Sequence, residues 1–252
     1  MYDILTNFFR SKVSNKKIVF VIGSGRSGTH LLGRTIGNLE IFDAYIEDEK
    51  LFNKVTEVAV NPNRNLKDIK HILKLYEGVF NKANKTRILE KTHPNIWLVE
   101  PLKEHFNDAK FIGIKRDVYA TVASMLNHSG VLSWYNRLPL NEVNPFLGIN
   151  NENKDVFSKL PIESKCALRW KSHIERLNYL EEKYPHEVYV VKYEDFYHDY
   201  DFLMKNISAF LEVDVPIKSE KLNTDSIDKW KTFLTAEQIN NIENVIIGNY
   251  NY

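Results

Sequence analysis

A chain of 252 residues has the length of one or two domains, and its 43 % hydrophobic fraction supplies a core, which argues against a disordered or coiled-coil protein. With 34 Lys and Arg against 33 Asp and Glu the net charge is +1, which excludes the concentrated positive surface of a nucleic-acid binder. One cysteine, Cys166, forbids an intramolecular disulfide; with no signal-peptide pattern and no apolar run of about 18 residues, a cytoplasmic protein without a membrane span is expected.

Short β-rich runs alternate with longer helical patterns, the rhythm of an α/β fold with a central parallel sheet flanked by helices. KIVFVI, Lys17 to Ile22, is a continuous apolar run suited to a strand buried on both faces, and a Gly-rich turn and a helix through THLLGRTIGNL follow it. IFDAYI, Ile41 to Ile46, reads as a second strand, and the spacing of Leu66, Ile69, Ile72, Leu73, Tyr76 and Phe80 predicts a helix across 63–82. RILEK, Arg87 to Lys91, is a third strand, after which Pro94 stands near the start of a helix through NIWLVEPLKEHF. AKFIGIKR, Ala109 to Arg116, is a fourth, followed by a helix for which Asp117 is the N-cap.

From 130 to 161 the periodicity fails, with Pro139, Pro145, Pro161 and the polar run INNENKD; a structureless stretch of that length is expected to be an acceptor-binding loop or lid. A helix resumes over Ile162 to Lys183, VYVVKY (Val188 to Tyr193) is a fifth strand, and helices near 200–211 and 235–247 complete the chain. No repeat or linker divides it, so residues 1–252 are expected to form a single domain.

The turn GSGRSGT, Gly23 to Thr29, stands between a buried strand and a helix. In that position backbone N–H groups and the helix N-terminus converge on an anion. The nucleotide-hydrolase P-loop, G-x-x-x-x-G-K-S/T, shares the spacing of Gly23 and Gly28, but Thr29 replaces its Lys and His30 its magnesium-binding hydroxyl. Arg26 lies inside the turn instead, with a planar fork suited to two oxygens of an anion. Only nine of the 34 basic residues are Arg, and a second, Arg116, ends a strand ninety residues later. In a parallel sheet both strand ends lie on the carboxyl edge, where ligands bind.

GSGRSGTHLL resembles the 5′-phosphosulfate loop of sulfotransferases that use 3′-phosphoadenylyl sulfate (PAPS). KFIGIKRDVYATVASM, Lys110 to Met125, resembles that family's 3′-phosphate site, an Arg at a strand end and a Ser eight residues on, here Arg116 and Ser124. VYVVKYEDF is similar to the strand whose Tyr lies near the adenine, which points to Tyr193, and SIDKWKTFLTAEQI to the C-terminal segment that closes over the nucleotide, which points to Lys229. The resemblance spans residues 17 to about 240 and implies a P-loop NTPase-like sulfotransferase fold. It also implies PAPS as co-substrate without a metal, held by Gly25, Arg26, Ser27, Gly28, Thr29, His30, Arg116, Ser124, Tyr193 and Lys229. The implied reaction is sulfuryl transfer to a hydroxyl or amine of a small-molecule or carbohydrate acceptor. The Arg in the loop is closer to the carbohydrate and tyrosylprotein branches than to the cytosolic one, whose C-terminal Arg-Lys-Gly motif is absent.

Such a reaction requires in-line placement, charge stabilisation and a base for the acceptor proton. Lys91-Thr92-His93 is similar to the Lys-Thr-His of cytosolic sulfotransferases, where the His is the base, and Lys91 would stabilise charge at the bridging oxygen. Glu47, in YIEDEK, occupies the place of the Glu base in the tyrosylprotein and some carbohydrate enzymes, and burial would raise its pKa into a working range. Both remain candidates. Trp134, Tyr135 and Arg137 are candidate acceptor contacts, though structural packing is the better explanation of the two aromatic residues. The alternatives are an ATP-dependent small-molecule kinase on the same scaffold and a non-catalytic nucleotide-binding protein.

Overall fold

The computed structural model describes residue 13 and residues 15–213 and 225–248. Strand β1 (Lys17–Gly23) feeds a loop and helix α1 (Thr29–Gly37), then β2 (Phe42–Ile46), α2 (Glu49–Val60) and α3 (Leu66–Phe80). After β3 (Arg87–Lys91) come a 3-10 turn (His93–Trp97), α4 (Val99–His105) and β4 (Lys110–Lys115). Helices α5 (Val118–Leu126) and α6 (Ser129–Arg137) precede α7 (Ile162–Lys183) and β5 (Val188–Lys192). Short α8 (Asp195–His198) and α9 (Tyr200–Leu211) follow, and α10 (Asp225–Asp228), α11 (Trp230–Phe233) and α12 (Ala236–Ile246) end the described chain.

The five strands form one parallel sheet in the order β2-β3-β1-β4-β5. The two-residue period of a strand sends alternate side chains to opposite faces. Ile18, Phe20 and Ile22 of β1 therefore join a core with Tyr76 and Phe80 of α3 and Leu177 of α7. Val19 and Val21 join Leu32 and Ile36 of α1 and Ile207 of α9 on the other face. Burial on both faces is why β1 carries no polar residue after Lys17.

The expected strands stand where the pattern put them, to within a residue or two at each end. The helix expected through Pro94 is split: Pro94 sits in the 3-10 turn, and α4 starts only at Val99. Helix α2 has no counterpart among the expected elements, although Asp48 caps it by accepting from the N–H groups of Lys50 and Leu51.

The largest correction concerns 130–161. The segment is not structureless: it holds α6, 3-10 turns at Pro145–Leu147 and Phe157–Lys159, and a bridge between Asn144 and Ile149. Phe146, Leu147, Ile149, Phe157 and Leu160 are buried in a third core with Val122 of α5, Cys166 of α7 and Ile242 of α12. Asparagines hold its shape. The Asn144 side chain accepts from Phe146 N–H and donates to the Val60 carbonyl, and Asn150 accepts from the N–H groups of Glu152 and Asn153. Local side-chain bonds of this kind leave no periodic signal.

Candidate active site

Every strand delivers a candidate residue to the same edge of the sheet. Gly23 ends β1 opposite Ile114 of β4, Ile46 pairs with Lys91 across β2 and β3, and Lys115 pairs with Lys192 across β4 and β5. The residues one step further on are thereby neighbours. Glu47 N–H donates to the Lys91 carbonyl at 2.9 Å, and Tyr193 N–H to the Lys115 carbonyl at 2.8 Å.

The loop from Ser24 to Gly28 turns tightly over β1, with Arg26 at φ 76° and Gly28 at φ 98°. Gly28 needs its missing side chain: a Cβ there would stand 2.3 Å from Cδ2 of Tyr193. Tyr193 thus packs beneath the loop, and its hydroxyl meets that of Tyr197 at 2.8 Å. Ser27 is buried, and its hydroxyl donates to the Ser24 carbonyl at 2.6 Å, so it holds the loop's shape and does not face outward. Helix α1 begins with no side-chain cap and no acid in its first turn, which leaves its positive end to the loop.

On one side of the loop lie the two arginines. Arg26 Nε donates to Ser124 Oγ at 3.1 Å, and Arg116 reaches the Arg26 carbonyl at 3.5 Å with its guanidinium 4.1 Å from the centre of the Tyr193 ring. Burial, and then repulsion from Arg116, lowers the pKa of Arg26. Trp170 of α7 donates to the Arg116 carbonyl at 2.9 Å and fixes that strand end. Lys229 is exposed at the start of α11; the next residue, Trp230, stacks on Tyr119 in the first turn of α5. The stack sets the start of α11 beside the first turn of α5, which follows Arg116.

On the other side, Glu47 gathers three partners. It accepts from Lys91, lies 3.1 Å from His30 Nε2 and 3.5 Å from His93 Nδ1. Burial opposes its ionisation, yet the bonds from His30, His93 and Lys91 hold its carboxyl well below the usual carboxylate range. The raised pKa expected for Glu47 is thus reversed: burial is outweighed by three donors. Burial lowers the pKa of Lys91 and pushes that of His93 down to about 4. Glu47, Lys91 and His93 form one cluster, and His30, placed by the sequence with the loop, belongs to it.

Gly25, Arg26, Thr29, His30, Glu47, Lys91 and His93 line one side of a cavity of about 600 Å³, and Phe52 of α2 and Val131, Trp134 and Arg137 of α6 line the other. A larger groove of about 980 Å³, between Arg64, Trp97 and Arg176, includes no loop residue. Tyr135 is buried in the third core, whereas Trp134 and Arg137 reach the cavity.

Two buried groups escaped the sequence. Glu90 accepts from Thr92 N–H at 3.1 Å, from Asn95 Nδ2 at 2.8 Å and from the Thr92 hydroxyl; burial pushes its pKa up to about 8. It anchors the 3-10 turn that carries His93. Arg169, fully buried on α7, lies against Trp134 and Phe146, 4.3 and 4.8 Å from their ring centres. Its signal was a polar residue in register with Cys166, His173, Leu177 and Leu180, on a helix face that is otherwise buried.

A parallel five-stranded sheet flanked by helices, with an arginine-bearing loop between its central strand and a helix that has no side-chain cap, defines an α/β protein of P-loop-like fold. The chain belongs to the sulfotransferase family, whose model matches residues 34–216, and the family's chemistry is sulfuryl transfer. The loop itself precedes the matched span. In structure the chain is similar to the sulfotransferase from Alicyclobacillus acidocaldarius, at 15 % identity over 92 % of this chain and 96 % of that one, TM-score 0.52. The sulfotransferase domain of the Synechococcus PCC 7002 olefin synthase matches at 16 % identity over 95 % and 97 %, TM-score 0.54. Mouse sulfotransferase SULT7A1, crystallised with PAP, matches at 15 % identity over 96 % and 88 %, TM-score 0.54. No curated protein matches the chain in sequence. Among the described residues no helix is long and apolar enough to cross a membrane.

Proposed function

We propose that the protein transfers the sulfuryl group of PAPS to a hydroxyl or amine of a small-molecule or carbohydrate acceptor. One observation carries this: a single loop has Arg26, Arg116 and Ser124 on one side and Lys91, His93 and Glu47 on the other. A donor anionic at both ends needs two anion sites, one at the arginine side of the loop and one at the loop itself with α1. Arg116 and Ser124 would hold the 3′-phosphate, and the loop and α1 the 5′-phosphate. The structure of SULT7A1 with PAP supports a donor of this class. A kinase would place a Lys and a magnesium-binding hydroxyl where Thr29 and His30 stand.

His93 is the better base. Its Nδ1 faces Glu47, which favours the tautomer with the proton there and leaves Nε2 with a lone pair. Glu47 then orients the ring and stabilises the imidazolium as it forms; its own carboxylate, held by three donors, is too weak a base. In the reaction the acceptor oxygen bonds to sulfur while the bond from sulfur to the bridging phosphate oxygen breaks. The electron pair leaves with the phosphate, beside Lys91, and the acceptor proton goes to His93. Trp134 and Arg137 border the space left for the acceptor.

Thermal unfolding with adenosine 3′,5′-bisphosphate tests the donor class, since a ligand that binds only the native state raises Tm. A rise without magnesium is expected. A rise with ATP and magnesium alone would replace this function with the kinase.

A further inference from the structure

Among the described residues, the three buried guanidinium nitrogens of Arg169 have no hydrogen-bond partner of ordinary geometry, although the hydroxyl of Tyr135 and the thiol of Cys166 face the cation. The flanking rings of Trp134 and Phe146 offer the cation their faces, which offset part of the desolvation but accept no directed hydrogen bond of ordinary strength. The titratable groups around it are Tyr135, Cys166, His93 and His173, none of them a carboxylate. A charge buried in this way is costly unless an anion completes it.

The direction in which it points identifies the anion. A Cβ built on Gly25 would stand 3.5 Å from Arg169 Nη2 and 3.0 Å from His93 Nε2, an atom that is also buried and unpartnered. Both side chains therefore converge on the bare backbone of the anion-binding loop, beside Arg26 and under the cavity that Gly25, His93 and Trp134 line. Any side chain at position 25 would fill this shelf. Arg137, by contrast, stands on the far wall, where an acceptor would lie.

We propose that Arg169 is a catalytic residue that holds the sulfonate oxygens of the donor on the Gly25 shelf, next to the nitrogen that takes the acceptor proton. The inference rests on the donor proposed above. Arg169 contributes fixed positive charge and no proton: as the bond from sulfur to the phosphate oxygen breaks and the bond to the acceptor oxygen forms, the negative charge it faces stays on the sulfonate oxygens. The sulfonate is the only group that PAPS has and adenosine 3′,5′-bisphosphate lacks. Loss of Arg169 must then weaken one ligand and spare the other.

The test is calorimetric titration of the full chain with each ligand, without magnesium, for the wild type, Arg169→Met and Arg169→Lys, alongside the ligand-free Tm. Arg169→Met is expected to weaken PAPS by about tenfold or more relative to adenosine 3′,5′-bisphosphate, because charge-assisted bonds are lost from the sulfonate alone. Arg169→Lys, which keeps the charge without the fork, should fall between. The Tm of Arg169→Met should be unchanged or higher, because an uncompensated buried charge gives way to an apolar side chain of similar length. An unchanged ratio of the two affinities overturns the proposal, whether Tm holds or falls as for a packing residue. A wild type that binds neither ligand overturns the donor assignment itself, a failure distinct from an unchanged ratio.

Discussion

Glu47 leaves β2 with φ 51°, an uncommon conformation for a residue with a side chain, and that turn sends its carboxylate to Lys91, His30 and His93. The acidic run Glu47-Asp48-Glu49 is therefore divided by function: Glu47 faces the cavity, Asp48 caps α2, and Glu49 sits in that helix's first turn. If His93 is the base and Glu47 its orienting partner, His93→Ala should lower kcat by about 10²–10⁴-fold, and Glu47→Gln by less. Turnover measurements with equal, mild losses from both would remove the assignment. The sign of the pH effect follows from the lowered pKa of His93: its neutral form persists down to about pH 4, so kcat/KM should fall on the acid side near 4 and not near 6.5. An acid limb near 6.5 would mean that another group titrates.

At the scale of elements, the five strands are legible because each is a short apolar run between turn residues, and the carboxyl-edge site follows from parallel pairing, whereas the sheet order is tertiary information. Arg26 and Arg116 are legible as arginines in a strand-to-helix turn and at a strand end, whereas Lys91, His93 and Ser124 follow from the resemblance of their motifs to those of the sulfotransferases. Arg169 is legible in neither way, because its role depends on how the middle of α7 packs against α6 and the loop, and that is tertiary information. The 130–161 segment defeats periodicity for a different reason: Asn144, Asn150 and Asn153 build it through local bonds, and its apolar residues follow no single period. Asn144 ties that layer to α2 through the Val60 carbonyl, at a residue that lines the cavity. Asn144→Ala should cost about 1–3 kcal/mol, by removing a buried partner and leaving that carbonyl unsatisfied. Urea denaturation would measure it; a loss below a few tenths would show that packing alone holds the layer.

For the molecule as a whole, buried groups set opposite slopes of stability with pH, His93 and His173 (both lowered by burial) on one side and Glu90 on the other. Unfolding lets His93 take up a proton near pH 6.5 that the native state refuses until about 4, so His93 costs stability as pH falls through that window. Glu90 does the reverse: the native state keeps its proton to about pH 8, the unfolded chain releases it near 4.5, and stability falls as pH rises between them. Between pH 6.5 and 8 the Glu90 contribution stands clear of His93. Glu90→Gln preserves acceptance from Thr92 N–H and Asn95 and donates to the Thr92 hydroxyl, so it should fold and flatten the decline in Tm over that range. A decline as steep as that of the wild type would assign it to another group.

The whole sheet converges on one claim, that the carboxyl edge binds a nucleotide with phosphate at the 3′ position through Arg116 and a 5′ anion through the loop. Calorimetric titration with adenosine 3′,5′-bisphosphate, in the absence of magnesium, measures this most directly when wild type is compared with Arg116→Ala. Binding by the wild type, weakened about tenfold or more in the variant through loss of charge-assisted bonds to the phosphate, is the predicted result. No binding by the wild type, or equal affinity in the two proteins, would contradict it.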